Sequence, residues 1–274
     1  MLESTENKGL AFLRVKLIKA FLPEVLSILC ILGFWQFGAN LYPKAILPSP
    51  GETLTALMQV LFSRSLPEAI ASTMLHSLGG FSIAAVAGIS LGLIAEMQGF
   101  IRRMLMPIAT ALQGIPPIAW IVLSVLWFGM GDANSIFTVA LAIFPLIFIA
   151  TIEGLQTTDP RLLEMAKTYK LQGLMLVREV YLPQLISILF PAIASSLGLA
   201  WRVGIMSEVL SGTTGIGAEL NKARGNFDTA TVMAWIVIIA VLILTWDYLI
   251  LRRVRNYLMP WRNQTSLREK GGFS

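Results

Sequence analysis

The sequence holds very few of the residues that build catalytic centres and metal sites. Among its 274 residues are one cysteine and one histidine, which excludes an intrachain disulfide and any metal site built on cysteines. Only 14% of the residues are charged, against about a quarter in an average soluble domain. No phosphate-binding loop of the form G-x-x-x-x-G-K-[S/T] occurs, so we do not expect this chain to bind ATP itself. We predict no catalytic residue, no bound metal and no resident cofactor.

The sequence is rich in long apolar runs instead. Hydrophobic residues make up 55% of the chain, and its mean hydropathy is +0.72. A bilayer core of about 30 Å is crossed by about 20 mainly apolar residues in a helix. Candidate spans lie near residues 18–41, 71–95, 104–128, 134–152, 184–210 and 230–251. The fold class predicted is an all-α membrane protein with six transmembrane helices.

Basic residues are distributed unevenly between the two sides that these spans define. If the N-terminus is cytoplasmic, sixteen of the 21 Lys and Arg residues fall on the cytoplasmic side. Only Lys44, Arg64, Lys222 and Arg224 fall on the outer side. Cytoplasmic loops of membrane proteins carry such an excess, so we expect both termini in the cytoplasm. This bias accounts for the net charge of +5, and no nucleic-acid partner is predicted.

The second span carries a stripe of small residues at every fourth position. Its members are Gly80, Ala84, Gly88 and Gly92. Residues at this spacing share one helix face, and small side chains there let a neighbouring helix approach closely. We interpret the stripe as a packing surface.

The third span contains two adjacent prolines, Pro116 and Pro117, a few residues after Gln113. Proline removes a backbone donor and disfavours helical geometry in the residue before it. A break inside a membrane is tolerated only against protein or a water-filled cavity, so this span is a candidate lining of a solute path. A purely structural kink is the alternative.

Four residues near the outer ends of the second and fifth spans are further candidates for the path: His76, Trp201, Arg202 and Glu208. An arginine inside a span costs about 2.5–3.5 kcal/mol on insertion scales, so Arg202 needs compensation. It could extend outward to water, pair with Glu208 or another helix, or line a path for an anionic solute. His76 is either an interfacial residue or a solute contact.

The longest cytoplasmic segment, residues 153–183, has apolar residues at helical spacing among charged ones. Two short helices that meet near Gly173 are the simplest interpretation. Such a hairpin suits docking onto a soluble partner, and a loop that only covers the bundle is the alternative.

This segment resembles the cytoplasmic E-A-A motif of ABC importer permeases, the inner-membrane components of binding-protein-dependent transport. Glu164, Met165 and Ala166 are followed at the motif's spacing by Lys170, Val180, Leu182 and Pro183. Lys170 replaces the motif's glycine, so the helix break is expected at Gly173 instead. Further similarities to the nitrate, sulfonate and taurine type are Leu47-Pro48-Ser49-Pro50, Ile115-Pro116-Pro117-Ile118, Leu126-Trp127-Phe128-Gly129 with Gly131, and Asp159-Pro160-Arg161-Leu162-Leu163-Glu164.

The resemblance implies a type I importer permease that works as a homodimer. Two separate ATP-binding subunits would hold ATP and Mg²⁺ in the cytoplasm, and a periplasmic or lipid-anchored solute-binding protein would deliver the solute from outside. Residues implied in ATPase coupling are Glu164, Met165, Ala166, Lys170, Gly173, Leu182 and Pro183. In the family, an acidic residue stands at the position of Glu208 and a basic one near His76.

The domain organisation predicted has three parts: a cytoplasmic segment at residues 1–17, a permease domain at 18–252 and a basic cytoplasmic tail at 253–274, which could bind anionic lipid. The bacterial cytoplasmic membrane is the expected location. The resemblance favours a small anionic solute, and a thiamine precursor or another small organic solute is the alternative. A secondary transporter or channel remains the competing class, because it too would contain broken helices and buried charge.

Overall fold

The computed structural model describes residue 23, residues 26–157, residues 164–166, 168, 169 and 175, and residues 182–246. Nine helices lie within these described residues. They are α1 (Leu26–Leu41), α2 (Pro50–Leu61), α3 (Ser65–Met97), α4 (Gly99–Gly114), α5 (Pro117–Phe128), α6 (Asp132–Gln156), α7 (Leu182–Ser211), α8 (Ile216–Gly225) and α9 (Thr229–Thr245). The all-helical class predicted from the sequence is confirmed.

Within the described residues, three stretches are long and apolar enough to cross a membrane: α3, α6 and Leu189–Gly225, which includes most of α7. The α4–α5 pair counts as a fourth span if its two halves cross together. Helices α1 and α9 coincide with the first and sixth predicted spans but are shorter apolar helices in the described residues. The six-span topology and the position of the termini stay predictions.

The core is built by α3, α6 and α7. Val139, Ile143 and Ile147 of α6 are fully buried, and they pack with Ala84 of α3 and Ala200 of α7. Burying such side chains stabilises a soluble protein through the hydrophobic effect, whereas close packing and polar contacts matter more inside a bilayer. These three helices therefore form the frame on which the other elements are placed.

The small-residue stripe of α3 packs directly against α6, as the sequence predicted. A Cβ atom added at Gly80 would lie 2.6 Å from the Ile136 carbonyl oxygen and 2.6 Å from Val139 Cβ. A Cβ atom added at Gly92 would lie 2.8 Å from Thr151 Cβ. Since both distances are shorter than van der Waals contact, the glycine backbone of α3 lies directly against residues of α6, with no room for a side chain between them.

The two prolines break the third predicted span into α4 and α5. Ile115 and Pro116 have extended backbones, with ψ angles of 126° and 139°, because each precedes a proline. The axes of the two helices are bent by 99° at this point. A single proline does not have this effect in α6, where Pro145 lies inside a continuous helix. The predicted break is confirmed.

Two short helices, α2 and α8, lie outside the predicted spans and pack around α9. Helix α2 begins with a capping box, in which Ser49 Oγ accepts from the Glu52 backbone and Glu52 Oε2 accepts from the Ser49 backbone. Ala56 and Val60 of α2 are buried with Trp235 of α9. The motif around Ser49 that the sequence analysis singled out is thus the start of a capped helix.

The α3–α6 contact gives a matched pair of test substitutions. We expect Gly80→Ala to lower the free energy of unfolding by about 1–3 kcal/mol, because overpacking forces the two helices apart. Gly79→Ala is the control, since its Cβ atom would lie 3.8 Å from the nearest Ile136 atom, an ordinary contact. Thermal unfolding in detergent measures both, and equal melting temperatures would contradict the close approach.

The cap of α2 predicts a pH dependence. The Lys44 ammonium, together with the Ser49 backbone amide, lowers the pKa of Glu52 from 4.5 to about 2. A carboxylate with a lowered pKa stabilises the folded state above its unfolded pKa, and this contribution disappears as the pH falls through the folded value. The stability difference between the native chain and Glu52→Gln should therefore shrink from about pH 4.5 downward, which denaturation at several pH values would measure. A constant difference would contradict it.

Candidate functional site

A carboxylate with no access to solvent lies near the end of α7. Glu208 is 0% exposed, and both of its oxygens are bonded. Thr73 Oγ1 donates to Oε2 at 2.8 Å, His76 Nδ1 lies 2.8 Å from Oε1, and the Gly217 backbone amide donates to Oε2 at 3.0 Å. We refer to Thr73, His76, Glu208 and Gly217 as the Glu208 cluster, which joins α3, α7 and α8.

The cluster extends to the start of α6 through the second nitrogen of the histidine. His76 Nε2 lies 3.1 Å from Asp132 Oδ1, at ion-pair distance but without the alignment of a hydrogen bond. Thr214 Oγ1 donates to the same Asp132 oxygen at 2.8 Å. The imidazole ring therefore stands between two carboxylates, and in its charged form it would neutralise one of them.

Glycines make room for the carboxylate. The turn from α7 to α8 contains Gly212 and Gly215, and Gly217 follows in the first turn of α8; Gly215 has a φ angle of +104°. A Cβ atom at Gly215 would lie 2.3 Å from the Glu208 carboxyl carbon, and one at Gly217 would lie 2.4 Å from the Ile205 carbonyl oxygen. The backbone thus closes tightly over Glu208, and the sequence analysis missed this turn although three glycines in six residues marked it.

A second buried polar group, the Asn134 cluster, fixes α5 to the frame. Its members are Ser124 of α5, Asn134 and Thr138 of α6, and Ser211 of α7. Ser124 Oγ donates to Asn134 Oδ1 and lies 2.9 Å from Thr138 Oγ1, while Asn134 Nδ2 donates to Ser211 Oγ at 2.6 Å. Since buried polar groups are costly to leave unbonded, this network sets the position of α5 after the break.

Helix α4 presents three chemically different faces. Ala109 is buried against α6, whereas Met104 and Ile108 form an exposed apolar face suited to lipid. A third face lines an open cavity of about 720 Å³, and its residues are Arg102, Arg103, Met106, Pro107, Thr110 and Ala111. At 100° per residue, Gln113 falls on the flank of this third face, which we call the α4 cavity face. Arg102 is paired with Glu96 at 3.3 Å, whereas the Arg103 guanidinium, the Thr110 hydroxyl and the Gln113 amide are donors that suit an anionic solute.

The structure divides the predicted path residues into two groups. Gln113, Pro116 and Arg202 are exposed, and Pro117 is half-buried. His76 and Glu208 are buried in the Glu208 cluster. The sequence analysis considered a pairing of Arg202 with Glu208. The hydrogen-bond partners that the structure describes for Glu208 lie on α3 and α8 instead.

Trp201 belongs to the buried group as well. It is 4% exposed and stacks on Trp246, with the ring centroids 5.5 Å apart. This contact packs the middle of α7 against the chain that follows α9. The residue is therefore enclosed by protein in this conformation.

Only part of the predicted coupling segment can be described. Glu164 and Met165 are exposed, whereas Ala166 is 1% exposed. Leu182 and Pro183 form the first residues of α7. Lys170 and Gly173 lie outside the described residues, so the predicted helix break near Gly173 stays a prediction.

Comparisons with known proteins agree with this architecture. Residues 85–262 match the family described as "Binding-protein-dependent transport system inner membrane component". The chain is 32% identical to the riboflavin transport system permease protein RibX of Chloroflexus aurantiacus, over 86% of this chain and 88% of the relative. It is 34% identical to the putative aliphatic sulfonates transport permease protein SsuC of Escherichia coli, over 77% and 81%.

A solved structure of the inward-facing MetNI methionine ABC transporter has the same fold. The TM-score is 0.58 at 19% identity, and the match covers 73% of this chain and 97% of that one. The family match, together with this fold, defines a membrane transport permease. This chain belongs to the family of binding-protein-dependent transport system inner membrane components. The resemblance to the sulfonate type that the sequence indicated is confirmed.

The Glu208 cluster predicts a large effect of one substitution on stability. Glu208→Ala leaves Thr73, the Gly217 amide and one nitrogen of His76 without their acceptor, and each buried polar group left unpaired costs about 1–3 kcal/mol. Glu208→Gln keeps the shape and one acceptor oxygen and should cost less. Thermal unfolding in detergent micelles measures both changes.

Glu219→Ala is the matched control for Glu208→Ala. Glu219 pairs with Lys222 on the surface of α8 at 2.6 Å, where the two side chains are 25% and 60% exposed. Exposed pairs contribute only about 0–1 kcal/mol. Equal losses from the two alanine variants would show that the buried cluster adds no special stability.

Proposed function

We propose that this chain is the membrane-spanning subunit of an ATP-binding-cassette importer that carries a small anionic solute of the sulfonate, nitrate or taurine type. The family match and the similarity to SsuC support this function. The observation that carries the substrate class is the cationic start of the α4 cavity face, where Arg103 is exposed and Arg102 is paired with Glu96, on one half of the broken span.

In this proposal the chain crosses the bacterial cytoplasmic membrane six times with both termini in the cytoplasm. Helices α1 and α9 then supply the first and last spans, and residues 18–252 form the permease domain. Residues 1–17 and 253–274 are cytoplasmic segments in the same scheme. The distribution of Lys and Arg supports this orientation, which places α2 and α8 on the outer side and Arg102 and Arg103 on the inner side.

The path runs along the α4 cavity face and the break between α4 and α5. Irregular backbone and polar side chains are not stable against lipid, so the exposed break at Pro116 has to face water or protein. A second copy of the chain, facing this surface, would enclose the path between two identical α4 helices. Gln113 and the exposed backbone near Pro117 would then contact the solute, and Arg202 is a further candidate on α7.

The energy for import comes from partner subunits in this scheme. Two cytoplasmic ATPase subunits bind ATP and Mg²⁺ and engage the segment 153–183 of each copy, including the exposed Glu164 and Met165. A solute-binding protein loads the outer side. Because Ala166 is buried while the two residues before it, Glu164 and Met165, are exposed, the described part of this segment has one side toward the bundle and one side available to a partner.

A flavin-like heterocycle is the second candidate solute. The observation that favours it is the similarity to RibX, which extends over 86% of this chain. The two candidates differ in charge, so the arginines of the α4 cavity face discriminate between them. Anion import depends on these side chains, whereas import of a neutral heterocycle does not.

Reconstitution in proteoliposomes tests the function. The chain is combined with its ATPase subunit and solute-binding protein, and uptake of a radiolabelled alkanesulfonate is compared with uptake of riboflavin. We expect ATP-dependent uptake of the sulfonate and none when the ATPase subunit is left out. Uptake at full rate without the ATPase would identify a secondary transporter or channel and overturn the proposal.

Two arginine variants test the substrate class in the same assay. Arg103→Gln should lower sulfonate uptake about tenfold, because a charged cleft concentrates anions. Arg64→Gln, which removes an exposed charge on the opposite side of the membrane, should leave uptake unchanged. If the two variants behave alike, the α4 cavity face is not the anion path.

A further inference from the structure

The turn between α8 and α9 contains a residue in an unfavourable conformation. Phe227 has a φ angle of +57°, and it is the one non-glycine residue with positive φ among those the structure describes. A large side chain in this left-handed region costs about 1–2 kcal/mol. Its ring is also 88% exposed, so burial of the side chain offers no compensation within the subunit.

The local reason for this conformation is the end of α8. The Asp228 amide donates to the Ala223 carbonyl at 3.1 Å, and the Phe227 amide donates to the Arg224 carbonyl at 3.1 Å. This is the Schellman pattern, in which the residue after the C-cap is left-handed and is usually glycine. A glycine would make the same turn without strain, so the turn itself does not explain a phenylalanine.

The strained ring stands at the rim of a polar cleft. A cavity of about 420 Å³ lies between α2, the loop before it and the start of α9, with Phe227 and Asp228 on one wall and Lys44 and Glu52 on the other. Lys44 and Glu52 form an ion pair, and the Lys44 side chain is 83% exposed. Thr229 Oγ1 donates to the Ala45 carbonyl at 2.6 Å and joins the two walls.

An exposed aromatic ring surrounded by charges of both signs has the composition of a protein interface. Energetically important interface residues are enriched in aromatics and are ringed by polar groups. Strained backbone also concentrates at binding sites. The orientation proposed above places this turn on the outer side, where the binding protein named in the family description would arrive.

We infer that Phe227 and the adjacent cleft form a docking point for the solute-binding protein. The ring enters an apolar depression on that protein, and a polar loop of the protein occupies the cleft between Lys44 and Asp228. This inference rests on the proposed function. The family description says only that transport depends on a binding protein; the inference names the surface and the residue that the binding protein contacts.

The test uses the complete complex in lipid nanodiscs, with its own solute-binding protein as the probe. Phe227→Gly removes the ring and relieves the backbone, so the variant should fold at least as well as the native chain. We expect its dissociation constant for the binding protein to rise at least about tenfold. Stimulation of ATP hydrolysis by the binding protein should weaken in parallel, with basal hydrolysis unchanged.

Two further variants separate the ring from general effects. Phe227→Tyr keeps an aromatic side chain and should bind within about threefold of the native complex. Phe62→Ala is the matched control: Phe62 is also 88% exposed and ends α2 on the same side, with an ordinary φ angle of −94°. It should bind like the native complex.

The outcomes discriminate between the inference and the function on which it rests. If Phe227→Gly binds like the native complex, the docking point is wrong while the importer function stands. The docking point is also wrong if Phe227→Gly and Phe62→Ala lose affinity for the binding protein equally. It is wrong as well if Phe227→Gly changes only the stability of the complex in bilayers, which is the result expected of a residue that anchors the chain to lipid. If the native complex itself shows no response to the binding protein, the proposed function fails.

Discussion

The buried Glu208 carboxylate imposes a requirement that three separate parts of the chain have to meet. A carboxylate that is 0% exposed needs partners for both of its oxygens, and Thr73 and His76 of α3 and the Gly217 amide of α8 supply them. Because these partners lie on two helices other than α7, the three helices cannot separate at this end without leaving a buried carboxylate without its hydrogen bonds. The Glu208 cluster therefore fixes one end of the bundle as a unit.

The placement of α5 depends on this fixed end. Ser211 follows Glu208 by one turn of α7 and bonds to Asn134, which in turn bonds to Ser124. The position of α5 is thus linked to the same end of α7 that carries the carboxylate. The broken span is held at one half by polar contacts, while its other half, α4, has a single residue, Ala109, buried in the described structure.

The sequence predicts the features that depend on local chemistry and misses those that depend on distant contacts. The proline pair fixed the break at Ile115 and Pro116, because proline restricts the residue before it whatever the surroundings. The four-residue spacing of small residues on α3 likewise predicted a helix-packing surface. In contrast, His76 and Glu208 are 132 positions apart, and nothing in the sequence brings them together. The search for long apolar runs also missed α2 and α8, because these helices are short and less apolar than the spans.

The close approach of α3 and α6 limits how the proposed importer can change shape during transport. The two helices meet through glycines so closely that a Cβ atom added at Gly80 would lie only 2.6 Å from its nearest neighbours, so rotating either helix to bring a larger side chain into the contact would cause a collision. We expect α3, α6 and α7 to move together for this reason. In the proposed importer, the break at Ile115 and Pro116, where the helix axes turn by 99°, is then the point at which α4 can change its angle to α5 while the α3–α6 contact is kept.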